Sequence, residues 1–119
     1  MQIGVREMDE NLKIILSQEE NINNLKEIRK RITRSLYVYE QAQTPDSDYD
    51  YKAYVNSILL YTISSDGLME GNLVSIIVNL NTILNNNFDK KEFKKIILEC
   101  RNYINYLLEE SELYGENNR

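Results

Sequence analysis

A chain of 119 residues with 42% apolar and 28% charged content is long enough for one domain with its own core, and too apolar to stay disordered. Its net charge of -5 works against generic binding to nucleic acid or anionic membrane, which depends on clustered positive charge. A single cysteine excludes an internal disulfide, and the lack of histidine removes the commonest general base and metal ligand near neutral pH.

One proline and four glycines suit long helices joined by few tight turns. The start of the chain carries Arg6, Glu7, Asp9 and Glu10, unlike a signal peptide. The apolar stretch from Leu73 to Leu84 is interrupted by Ser75, Asn79, Asn81 and Thr82, and is too short and polar to span a bilayer. A cytosolic (cytoplasmic) protein is expected. The fifteen asparagines lie among periodic apolar residues, which argues against a prion-like tract.

The first element covers residues 6–16, where Met8, Leu12, Ile15 and Leu16 have helical spacing. The run Ile14-Ile15-Leu16 would equally fit a strand. Ser17 and Glu20 match a capping box, in which the Ser17 hydroxyl accepts from the Glu20 backbone N–H. Behind it Ile22, Leu25, Ile28, Ile32, Leu36 and Tyr39 form one stripe, predicting a helix over 18–42. A heptad frame puts Arg29 at a core position, which favours a bundle helix over a coiled coil.

Residues 44–48, with Pro45, form a linker, because proline steers the residue before it away from helical angles. Asp46 or Asp48 can cap a helix over 49–64, with Tyr51, Tyr54, Val55, Ile58, Leu59 and Thr62 at helical spacing. Gly67 is expected to supply its left-handed end. Leu73, Ile76, Ile77, Leu80, Ile83 and Leu84 predict a helix over 72–86, and Val74 and Val78 widen its stripe enough to suggest the most buried element.

Asp89 and Glu92, flanked by Phe88 and Phe93, combine an N-cap, an acid at the third helical position and a hydrophobic staple. Phe93, Ile96, Ile97, Cys100, Ile104, Leu107 and Leu108 follow on one face of a helix over 90–113, ended by Gly115, with a frayed tail over 115–119. The expected fold is all-α: a compact four-to-five-helix bundle, a single domain over 1–119, with mostly antiparallel neighbours because the connections are short.

Nothing in this pattern assembles a nucleophile, a base and an orienting group, so no enzyme, cofactor or metal is expected. Cys100 lies between Ile97 and Ile104 on an apolar stripe, the setting of an inert buried thiol. Asp66-Gly67 with Glu70 resembles the short D-G-x-x-E turn of helical tellurite-resistance-type domains, over about five residues, and a helix-to-helix turn accounts for it.

Charge is segregated. Lys26, Arg29, Lys30, Arg31 and Arg34 form one basic group and Lys90, Lys91, Lys94 and Lys95 another. Glu109, Glu110, Glu112 and Glu116 gather near the last helix's C-terminus, where anions oppose the helix dipole. Asp46, Asp48 and Asp50 alternate with Tyr49 and Tyr51, joining acids that steer cationic side chains to rings that anchor interfaces. Asp46, Asp48, Tyr49, Asp50 and Tyr51 are therefore the candidate contacts for a basic protein partner.

In size, charge and tyrosine–aspartate surface the chain resembles bacterial immunity proteins of the colicin or contact-dependent-inhibition type. That resemblance implies an inhibitor that occludes a basic toxin such as a nuclease. Two alternatives stand beside it. One is a phage or plasmid regulator that lays Lys26, Arg29, Lys30, Arg31 and Arg34 on nucleic acid. The other is a structural bundle that homodimerises through the helix over 18–42.

Overall fold

The computed structural model describes residues 10–41 and 47–117, with side chains placed over 10–41 and 51–113. These residues form α1 (Glu10–Leu16), α2 (Glu19–Gln41), α3 (Ser47–Met69), α4 (Val74–Leu84) and α5 (Lys90–Asn117). No strand occurs among them, and the Ile14-Ile15-Leu16 run is helical.

Cross-helix contacts run in opposite sequence directions. Between α2 and α3, Tyr39 meets Tyr51, Arg31 bonds Ser57 and Asn24 accepts from Tyr61. Between α2 and α5, Glu40 pairs with Lys94, Thr33 accepts from Arg101, and Asn105 accepts from Arg29. Lys52 reaches Asn87 and Asp66 reaches Leu73 between α3 and α4, while Tyr103 of α5 donates to the Asn72 carbonyl at the start of α4. Helices α2 to α5 therefore form an antiparallel up-down-up-down ring. Helix α1 lies across one end, against α5, α2 and α3.

The ring closes on the predicted stripes. Leu25, Ile28, Ile32 and Leu36 of α2 meet Val55, Ile58 and Leu59 of α3, Ile76, Leu80 and Ile83 of α4, and Phe93, Ile97, Ile104 and Leu107 of α5 in one core. The α2 stripe is thus spent inside the molecule, facing α3 and α5.

Several local expectations change. Ser17 ends α1 instead of capping α2: its hydroxyl donates to the Ile14 carbonyl at 2.7 Å, and its N–H bonds back to Lys13 and Ile14. Asn21 holds the junction, donating to the Ile15 carbonyl at 3.0 Å. The first turn of α3 includes Ser47 and Asp48, expected in the linker, and the rest of that linker lies outside the described residues.

Helix α3 also passes through Gly67 and ends at Met69, with the left-handed angles at Glu70 (φ 52°) and Gly71 (φ 86°). The Gly71 N–H reaches the Asp66 carbonyl at 3.4 Å, closing a Schellman-type end. Met69 is fully buried. Its burial, worth about 1.5–3 kcal/mol, outweighs the roughly 1 kcal/mol cost of a helical glycine.

Val74 and Val78 point outward and do not widen the buried stripe of α4. Helix α5 continues through Gly115 to Asn117. Glu109, Glu110 and Glu112 then sit more than a turn inside its end, where the dipole penalty expected for them has largely decayed. At its start the cap is as expected: the Glu92 N–H donates to Asp89 Oδ1 at 2.8 Å, with Phe93 in the core and Phe88 packed against it.

Candidate functional site

The acidic–aromatic segment is divided by the fold. Asp46 lies outside the described residues. Asp48, Tyr49 and Asp50 belong to the first turns of α3, with side chains outside the described set. Tyr51 is only 2% exposed. Its ring stacks on Tyr39 at 4.3 Å and meets Phe93 edge-on at 4.3 Å. As a partner contact it is corrected: its spacing of four and seven from Val55 and Ile58 already placed it on the core stripe.

Of the basic group of α2, Lys26, Lys30 and Arg34, four apart, are exposed along one face, while Arg29 and Arg31 turn toward neighbouring helices. Arg29 turns toward α5 and donates to Asn105 Oδ1 at 3.0 Å. Lys30, Arg31 and Arg34 gather with Glu27, Tyr54 and Ser57 around a cleft of about 280 Å³ between α2 and α3. Arg31 is committed there to structure. It bonds Glu27 at 2.9 Å and Ser57 at 3.0 Å, and its guanidinium lies 4.5 Å from the centre of the Tyr61 ring.

The bundle topology builds a different acidic surface, one that linear sequence separation hides. The start of α2, the end of α3, the far half of α5 and the crossing helix α1 share one end of the molecule. Asn11 fastens this end by donating to Glu70 Oε1 at 2.7 Å. Exposed Glu10, Glu19, Glu20, Glu70, Glu109 and Glu112 lie there. Lys13 of α1 lies at this end, bridged to Glu10 at 3.3 Å. Exposed apolar side chains stand among these acids: Ile14 on α1, Leu68 on α3, and Tyr106 and Leu113 on α5. Tyr106, Glu109 and Leu113, spaced three and four apart, share one outward stripe. Tyr106 is stacked on Tyr103 at 6.3 Å, and Tyr103 is anchored by its bond to the Asn72 carbonyl. Burial raises the Tyr103 pKa, with Tyr106 and Asp66 adding to the effect.

This pole escapes sequence reading because its acids come from four helices. Only the clustering of Glu109, Glu110 and Glu112 signalled it, and Glu110 itself is buried. The opposite end carries Lys90, Lys91, Lys94 and Lys95 on the first turns of α5, together with Glu40, Asp89 and Glu92, and Lys94 pairs with Glu40 at 3.1 Å.

Cys100 is 1% exposed, and burial pushes its thiol up to about 11, against a small lowering by a hydrogen bond with Asn79. A thiol held protonated in this way is a poor nucleophile. Asp66 and Glu70, from the D-G-x-x-E stretch, are both occupied: Asp66 Oδ1 accepts the Leu73 N–H at 2.9 Å, and Glu70 holds Asn11. Among the described residues no group of three or more acids or cysteines is placed to hold a metal ion, and no helix is long and apolar enough to cross a membrane. No family model matches the chain, nor does any curated protein or solved structure.

Proposed function

We propose that the chain is a non-enzymatic protein-binding module of the cytoplasm, an immunity- or antitoxin-type inhibitor that occludes a basic partner protein such as a nuclease toxin. The observation that carries this reading is the acidic pole with its exposed apolar anchors. Like charges held together repel, so a cluster of acids is a local cost that a cationic surface relieves on binding. Tyr106 and Leu113 supply the apolar area that binding needs, since charges alone mainly set encounter rate and specificity.

A tagged pull-down at moderate salt tests it. The expected result is one basic protein recovered near one-to-one, lost when Glu109→Lys and Leu113→Ala are combined and retained in Lys90→Ala. Recovery of no basic protein, or recovery unaffected by the double variant, would sink the reading.

A second reading rests on the cleft between α2 and α3. Lys30 and Arg34 around Tyr54 offer cationic side chains to a phosphate backbone. It predicts binding of single-stranded nucleic acid that falls steeply with salt and is lost in Lys30→Ala/Arg34→Ala. Salt-independent or absent binding eliminates it.

A further inference from the structure

The outward face shared by α3 and α4 is built unlike the rest of the surface. From Ala53 to Ser65 and again from Gly71 to Phe88 the sequence contains no charged residue, although 28% of the chain is charged. A helix face that meets only water normally carries charge, as α2 and α5 do. Here four large apolar side chains are exposed instead: Leu60 (60%), Ile63 (50%), Val74 (50%) and Val78 (55%). Leu60 and Ile63 are three apart on α3, and Val74 and Val78 four apart on α4, so each pair forms a stripe along its helix. The bonds from Leu73 to Asp66 and from Lys52 to Asn87 fix the register between the helices. That register sets Ile63 level with the first turn of α4 and Leu60 level with Val78. The stripes therefore lie side by side as one apolar patch bordered by serine and asparagine.

We propose that this face is the interface of a symmetric homodimer. The argument for a second copy is electrostatic. The chain carries a net charge of -5, so two copies repel, and at charged faces an approach would also strip water from ions. The α3–α4 face lets two copies meet with no charge desolvated and no like charges opposed. It also satisfies the requirement of a two-fold interface that one patch complement itself: apolar side chains meet apolar side chains, and border amides can pair with amides.

The size of the patch is adequate. Two adjacent helices about 20 Å wide together and about 20 Å long expose on the order of 500 Å² per copy. A pair would bury on the order of 1,000 Å², the lower bound for a specific interface. The dimer is accordingly expected to dissociate in the micromolar range. It leaves the acidic pole of each copy open, so it is independent of the reading proposed for that pole.

Sedimentation equilibrium of the whole chain over a range from low to high micromolar concentration tests the proposal. The apparent mass should rise from the 14.1 kDa of the monomer toward twice that value. Leu60→Glu/Val78→Glu should remain monomeric throughout with unchanged helical circular dichroism, since both side chains already stand in solvent. Should that variant fail to fold, the milder Ile63→Ser/Val74→Ser should weaken association at least ten-fold. A wild-type chain that stays monomeric at every concentration, or a dimer that persists unchanged in the folded variants, overturns the proposal.

Discussion

Tyr39 and Tyr51 stack face to face across the α2–α3 pair, their ring centroids 4.3 Å apart and their planes 26° from parallel, and Phe93 closes the cluster from α5. Three helices are pinned at one point by rings that bury large areas and gain further from their stacked and edge-on contacts. Tyr51→Ala is expected to destabilise the protein by about 3–5 kcal/mol, the usual cost of deleting a buried ring, measured by urea denaturation. Partner affinity of the folded fraction should be unchanged. A mild loss of stability with a large loss of affinity would instead restore Tyr51 as a contact residue.

Gly67 and Gly71 should respond oppositely to alanine. Gly67 is helical, and a Cβ there meets nothing within 4 Å, so Gly67→Ala is expected to stabilise by about 0.5–1 kcal/mol. Gly71 sits at φ 86°, where a Cβ is strained whatever the space around it, so Gly71→Ala should destabilise by about 1 kcal/mol or more. Thermal melts of the two single variants give the sign directly.

Stability should fall at alkaline pH through Cys100. Its folded pKa, about 11, is raised from the ordinary value of 9.0, so the thiol stays protonated in the fold where it would ionise in the unfolded chain. The contribution is complete below pH 9 and is lost as pH rises toward 11, amounting to about 2–3 kcal/mol across that window. Tyr103, also raised, acts in the same direction. Melting temperatures from pH 8 to 11 should decline, and Cys100→Ala should flatten that decline while lowering stability at neutral pH. An equally steep decline in the variant would assign the effect elsewhere.

Arg31 should behave as a structural residue. A lysine keeps the charge but loses the planar fork that joins Glu27 and Ser57 and the stacking on Tyr61. Arg31→Lys is expected to cost about 1 kcal/mol, read from the denaturation midpoint, whereas exposed Lys26→Ala should change stability by less than about 0.5 kcal/mol.

Much of the fold is legible in the residues because helical periodicity is a local property. The stripes from Leu25 to Tyr39 and from Phe93 to Leu108 are both core faces, and the Asp89 cap forms as its motif requires. Motifs failed where another contact or burial outweighed them. Ser17-x-x-Glu20 matched a capping box, yet the serine bonds backward to α1. Gly67 looked like a helix end, yet buried Met69 carries α3 one turn further.

The candidate surfaces were less legible, for a physical reason. By itself the sequence determined that the chain is all-α, acidic, without histidine and with a cysteine on an apolar stripe, since each of these follows from composition or from spacing within one helix. Only the tertiary structure decided which side chains share a surface. It took Tyr51 into the core, turned Arg29 and Arg31 of the α2 basic group toward two neighbours, collected acids from four helices at one pole, and set the uncharged faces of α3 and α4 side by side. Surface charge and exposure depend on which helix packs beside which and in what register, and that is settled by burial across the whole bundle rather than by any segment alone.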